Sequence, residues 1–337
     1  MASTATPSGF YSSDFWEGYL MTQRSKLPVL ANVDEELSEC IVRFLGCNPS
    51  GMQLQGTNTY LIGTGNTRIL IDTGEGLAQW AVNVTRYLED HDVSISHVLL
   101  THWHGDHTGG IADLLAHNPN TQVHKHEPGQ GQRNIVNGQE FHTRGATLRA
   151  VLTPGHTSDH VCFMLEEANA LFTGDNVLGH GFSVAEDLSA YMSSLRLMAS
   201  LGCAVGYPGH GAVIRNLPHK IDRYIAQRDL RMKLVYEALV RQTWPEPPLV
   251  RDNRDAHSGD GSYRNGYASE SGEQNRADVN TALGMSVADI CQALYPELSE
   301  DIETLESALK PLLNQVLAMV GLDHNTKYWV VKILDSN

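Results

Sequence analysis

The sequence predicts a mixed α/β fold, in which two groups of strands pack as sheets with helices outside them. Three observations support this. Short apolar runs of strand character fall into two groups along the chain, and segments of helical spacing lie between them. Four of the runs end in glycine-containing turns that carry histidine or aspartate. The chain is 337 residues long, enough for one sizeable core and a small second domain.

Taken in order, Ile41–Leu45, Thr59–Ile62 and Arg68–Asp72 read as strands, with Gly63-Thr-Gly-Asn66 as a hairpin turn. Ala78–His91 has helical spacing, with Trp80, Val84, Tyr87 and Leu88 on one side. His97–Leu100 is an apolar strand, and a helix from Thr108 to His117 follows its turn. Gln122–His124 and Thr147–Leu152 alternate as strands. Val161–Leu165 and Ala170–Phe172 pair as a second hairpin about Glu166–Asn169. A helix over Leu188–Leu201, a short strand over Cys203–Val205 and a long helix after Pro218 complete the main body. In that last helix, Lys220 to Lys233 is amphipathic, with Ile221, Ile225, Leu230 and Leu234 expected towards the core.

Four regions follow from composition. Residues 1–38 form an arm packed on the core, because Phe10, Tyr11, Phe15, Trp16 and Tyr19 are too many aromatics for a disordered tail. Residues 39–244 are the main domain. Residues 245–281, with Pro-Glu-Pro-Pro248 and almost no aliphatics, are a flexible linker, and His257 within it is a solvated residue. Residues 282–337 are a small helical domain. Its helices fall at Met285–Tyr295, opened by Ser286 and Asp289 at capping-box spacing, and at Ser299–Val320, and a strand closes it at Lys327–Leu334.

Composition narrows the function classes. A hydrophobic content of 41% and a mean hydropathy of -0.27 are ordinary for a soluble protein. No apolar run approaches the ~20 residues needed to cross a bilayer. The first residues lack the basic start and apolar core of a secretory signal, and Asp335-Ser-Asn337 carries no targeting tag. The five cysteines are odd in number and scattered, as expected of reduced thiols in a cytoplasmic protein. A net charge of -15 argues against nonspecific binding to nucleic acid.

The chemistry is concentrated in Thr101-His-Trp-His-Gly-Asp-His-Thr-Gly-Gly110. In an extended segment side chains at i and i+2 point the same way, so His102 and His104 can share one metal. Asp106 and His107 fall on the turn into the next helix and point towards a second. Imidazoles and carboxylates in this proportion suit zinc or a neighbouring first-row metal. Three later segments repeat the arrangement of an apolar run, a glycine turn and one ligand: Thr153-Pro-Gly-His156, Thr173-Gly-Asp175 and Pro208-Gly-His210. Strand ends converging on one edge are the expected geometry of a site assembled on a sheet.

This succession, with Gly56-Thr-Asn-Thr-Tyr-Leu-Ile62 and Leu70-Ile-Asp-Thr-Gly74, resembles the metallo-β-lactamase superfamily of hydrolases from about Gln55 to His210. The resemblance implies an αββα sandwich and two zinc ions, with manganese as the alternative, sharing a bridging water or hydroxide. One ion would take His102, His104 and His156, and the other Asp106, His107 and His210. Asp175 would bridge them, and Asp106 would also accept the water's proton. The helical tail is similar to the winged-helix-like unit of related hydrolases, although its acidic helix at Glu300–Glu306 argues against nucleic acid as its partner.

Within that superfamily, Met52–Tyr60, Gly174–Gly181, Tyr207–Ile214 and Phe15–Leu20 resemble fungal β-lactamase-type thioesterases of the atrochrysone carboxyl acyl-carrier-protein kind. These work in secondary metabolism beside non-reducing polyketide synthases, so the implied partner is an acyl carrier protein and the implied substrate its aromatic polyketide thioester. The basic face at Lys220–Lys233 is a solvated face and a candidate dock for that acidic carrier. A single-strand endoribonuclease and a glyoxalase II-like glutathione thioesterase are the alternatives. A serine thioesterase is disfavoured by the lack of a Gly-x-Ser-x-Gly elbow, and Gly63-Thr-Gly65 lacks the third glycine of a nucleotide loop.

Other residues carry weaker expectations. His180 is expected in the substrate pocket. His160 supports a ligand, lines the pocket or is a buried structural histidine. Tyr60 and Trp103 shape the acyl pocket or fill the core. Asp72 is a turn-stabilising carboxylate and not a ligand, while His124, His126 and His142 are surface residues.

Overall fold

The computed structural model describes residues 27–31 and 33–243. The expected arm aromatics, linker and C-terminal helices and strand lie outside the described residues. Contacts divide the chain into units of residues 1–229 and 230–337, the boundary falling inside the helix Leu217–Thr243.

A seven-stranded sheet runs β1 (Asp34–Ser38), β2 (Ile41–Leu45), β3 (Asn58–Ile62), β4 (Thr67–Ile71), β5 (Ser94–Leu99), β6 (Gln122–Lys125) and β7 (Arg133–Asn134), in that spatial order. Strands β1 to β4 pair antiparallel, and β4 to β7 parallel. The second sheet is ordered β12 (Val205–Pro208), β11 (Ala170–Gly174), β10 (Val161–Leu165), β9 (Ala146–Leu152) and β8 (Glu140–Thr143). It is antiparallel except between β11 and β12.

Two cores explain why the central strands are apolar on both faces. Ile69 and Ile71 of β4 join Ile41, Ile62, Leu99, Leu148, Phe163 and Phe172 between the sheets. Leu70, between them in sequence, faces the other way and packs with Trp80, Val84 and Leu88 of α1 (Ala78–Asp90) and Leu114 of α3 (Ile111–His117). On the far side, α4 (Leu188–Ser200) and α5 (Leu217–Thr243) are tied to the second sheet's turns. Ser194 Oγ donates to Pro154 O at 2.7 Å, and Leu178 N–H donates to Tyr224 Oη at 2.9 Å. Helices thus flank two stacked sheets, the sandwich implied by the resemblance.

Both expected hairpins form, at 63–66 and 166–169. Other boundaries move. The last residues of the expected arm pair as edge strand β1, whose Glu35 bonds to the buried Arg43 of β2. The helix expected over Thr108–His117 is two, α2 (Gly105–Thr108) and α3, because the Gly110 N–H is taken by Thr73 Oγ1. The strand expected over Cys203–Val205 begins at Val205. Leu230, expected in the core, is 56% exposed; Tyr224 takes the inward position beside Ile221. Among the described residues no helix is long and apolar enough to cross a membrane.

Candidate metal centre

Four turns at one edge of the sandwich bring the expected ligands together. Strand β5 ends at Leu99, so His102 and His104 lie beyond it in irregular chain. Their rings converge all the same: His102 Nε2 lies 2.9 Å from His104 Nδ1, and His156 Nε2 lies 3.2 Å from the same atom. On the other side, His210 Nε2 lies 3.2 Å from Asp106 Oδ2 and 3.4 Å from His107 Nε2. Asp175 sits between the groups. Its Oδ1 is 3.4 Å from His107 Nε2, and its Oδ2 is 3.2 Å from His210 Nε2 and 3.8 Å from His156 Nε2. His102, His104 and His156 thus form one set able to hold a cation, and Asp106, His107 and His210 another.

The backbone allows this closeness at two glycines. A Cβ at Gly209 would lie 2.3 Å from Asp175 Oδ1, and one at Gly174, whose φ is +48°, would lie 2.6 Å from His160 Nε2. Asn58 clamps the His210 turn, donating through Nδ2 to Pro208 O at 2.9 Å and Gly211 O at 2.8 Å. Asn58 lies in the Gly56–Ile62 segment, so the resemblance covered the residue without revealing its task.

Hydrogen bonds around the rim set the tautomers. A carbonyl can only accept, so His156 Nδ1 donates to Val184 O at 2.9 Å. Thr101 Oγ1 donates to Asp72 Oδ2 at 2.9 Å and therefore accepts from His102 Nδ1, also at 2.9 Å. His107 Nδ1 meets Asp72 Oδ2 at 2.8 Å. All three rings, when neutral, aim an Nε2 lone pair into the cluster, as ligation requires. Asp175 Oδ1, buried and without a hydrogen bond, faces the same space. The donor set fits divalent metal ions.

Protonation follows the charges. Burial and then the His107 and His156 rings hold His102 well below its ordinary pKa, and burial with His156 brings His104 to about 4. Burial opposes charge on His210, but Asp175 and Asp106 overcome it and raise the pKa to about 9. His107 goes up the same way, against its burial, through Asp106, Asp175 and Asp72. Although burial alone would raise Asp106 and Asp175, the nearby His107 and His210 hold both below the usual carboxylate range. The carboxylates that raise His107 and His210 would attract a cation to the same place.

The weaker expectations sort as follows. Asp72 is no ligand, and beyond bracing its turn it orients His107; its φ of +58° at the strand end is the strain that presents it. His160 is fully buried and cannot line a pocket. Its Nε2 accepts from the Asp175 N–H at 3.2 Å and its Nδ1 meets Thr153 Oγ1 at 2.9 Å, which fixes the Asp175 backbone. Tyr60 is likewise sealed between the sheets, its hydroxyl donating to Pro208 O at 2.7 Å, and supports the His210 turn. His180 is half-buried, and its N lies 3.1 Å from where a Cβ on Gly211 would stand. Trp103 is 53% exposed and so does not fill the core. His124 corrects the surface expectation: both sheet faces are covered, so a mid-strand side chain turns inward, and its ring lies 5.3 Å from His97 and 5.0 Å from Phe141. His126 is half-buried, and His142 is exposed as expected. The sequence did not signal Gln53 or Thr57, whose Nε2 and Oγ1 each lie 3.3 Å from Asp106 Oδ2.

A histidine and aspartate cluster of this form, at the edge of two stacked sheets, suits a metal-dependent hydrolase. Comparison with known proteins agrees. The metallo-beta-lactamase superfamily model matches residues 53–210. A protein named thioesterase pkgB from Emericella nidulans is 61% identical over 93% of this chain and 91% of its own. The lactamase-like protein adaB of Aspergillus niger is 46% identical over 94% and 91%. A solved beta-lactamase domain protein from Burkholderia ambifaria, 17% identical, shares the fold with a TM-score of 0.61 over 86% of this chain and 88% of its own. The chain belongs to the metallo-beta-lactamase superfamily and is an enzyme of it.

Proposed function

We propose that this enzyme is a thioesterase with two divalent cations, zinc or alternatively manganese, which frees an aromatic polyketide acid from the acyl carrier protein of a non-reducing polyketide synthase. The observation that carries this is the set of Nε2 lone pairs and the unbonded Asp175 oxygen aimed at one space, in a chain 61% identical to a named thioesterase. His102, His104 and His156 would hold one cation, Asp106, His107 and His210 the other, and Asp175 both. When bound, such cations polarise a carbonyl and bring the pKa of water to about 7.

The chain's own residues then divide the work. Asp72 and the Val184 carbonyl keep two rings turned to the centre. Asp106, ionised and half-buried, is steadied by Gln53 and Thr57 and would take a proton from the attacking water. A thiol of intrinsic pKa about 8.5 leaves with little protonation, which suits a site whose carboxylates are ionised. Residues 39–244 would be the catalytic domain, with 245–281 a linker and 282–337 a tail. The unbridged cysteines of the described residues accord with a cytoplasmic setting.

The test is reconstitution with an acyl-loaded carrier protein and metal-loaded enzyme. Wild type should release the acid, and Asp175→Ala should fall by about a hundredfold or more and bind fewer metal ions. Full turnover by Asp175→Ala, or wild-type cleavage of single-stranded RNA without acid release, would overturn the assignment.

A further inference from the structure

We propose that Trp103, Met52, Phe182 and Val184 form an apolar rim that recognises the acyl group and favours a broad, planar one over a short one. The inference rests on the thioesterase reading and names the residues that set its substrate preference.

Of the seven candidate ligands, only His104 and Asp106 are more than slightly exposed, so the cluster opens to solvent beside them. Three chain segments that touch the cluster carry exposed apolar side chains. Trp103 lies in sequence between two ligands, with its ring centroid 4.5 Å from that of His104. Met52 is 41% exposed and adjoins Gln53, which donates to Asp106. Phe182 and Val184 are 41% and 55% exposed, while Ser183 between them turns inward, its hydroxyl 3.3 Å from His156 Nδ1. This alternation is that of extended chain, and it places both apolar side chains on one side.

The Phe182 wall is anchored. Arg228 of α5 donates to Ser183 O, Lys220 Nζ donates to Gly181 O at 3.3 Å, and the Phe182 ring lies 4.9 Å from Tyr224. Single exposed apolar residues are ordinary, but four on the segments that touch one polar cluster have the composition of a ligand site. Two exposed rings suit an aromatic occupant, which offers a face for stacking.

The experiment compares 2-naphthoyl and acetyl thioesters of N-acetylcysteamine on the metal-loaded full chain. Trp103→Ala and Phe182→Ala should each lower the naphthoyl-to-acetyl ratio of kcat/KM roughly 10–100-fold. Trp103→Phe should restore most of the loss. A ratio unchanged in both alanine variants, or both substrates falling together, would overturn the proposal. The thioesterase reading itself is decided by the carrier-protein assay; if wild type cleaves neither small thioester, the rim is decided by binding of 2-naphthoate. Trp103→Ala should then weaken naphthoate at least about tenfold, and equal affinity would refute the rim.

Discussion

His107 and His156 stand on opposite sides of one cluster, and the protein holds them by different means. His107 leans on Asp72, a buried carboxylate at the end of β4 that also accepts the Thr101 N–H at 2.8 Å. His156 leans on the carbonyl of Val184, in a segment held by Arg228 and lined by exposed apolar side chains. One side is part of the core, with a charged partner that strengthens the ligand. The other is set from that apolar segment, so the proposed rim would couple ligand orientation to the shape of the acyl surface.

The His156 turn is also braced by a buried ion pair, and the largest effect is expected there. Asp159, three residues on, pairs across the sandwich with Lys125 of β6, both buried, while Thr157 Oγ1 donates to Asp159 at 2.8 Å. Lys125→Met leaves the carboxylate buried without its cation and should destabilise the protein by about 3–5 kcal/mol in urea unfolding. Lys125→Met combined with Asp159→Leu should recover much of that. If the single variant costs nothing, the pair does not brace the turn.

Next, Asp72→Asn should weaken metal binding by about 10–100-fold, read by competition with a chelator. Arg228→Gln acts on the opposite side through a neutral carbonyl and should cost less, about three- to tenfold in the same assay. An effect at Arg228 equal to that at Asp72 would erase the distinction between the two sides.

The smallest effect concerns acid. His124, with burial as the main cause and His97 and Arg133 adding to it, has its pKa lowered to about 4 from an ordinary 6.5. A lowered histidine favours the neutral fold, so its contribution is complete above pH 6.5 and is lost as pH falls towards 4. His124→Leu should flatten the decline of the unfolding midpoint across that window, and an unchanged slope would place the acid sensitivity elsewhere.

All seven ligand candidates were legible before any coordinates, because each follows an apolar strand at a short turn and such turns collect at sheet edges. What supports them was less visible. Asp72 could be read as a strand-end carboxylate, but its bond to His107 joins residues far apart in sequence. His160 and Tyr60 carry no mark that separates a pocket residue from a buried brace, since burial depends on what the opposite sheet brings. His124 was read as a surface residue until both faces of β6 proved covered.

By itself the sequence determined the ligand chemistry, the alternation that builds the two sheets and the superfamily, since residue type and local spacing suffice for these. Only the tertiary structure decided which ring nitrogen faces the centre, which polar groups brace it and which apolar side chains stay exposed. Those properties depend on hydrogen bonds and packing between distant segments, and no local pattern encodes them.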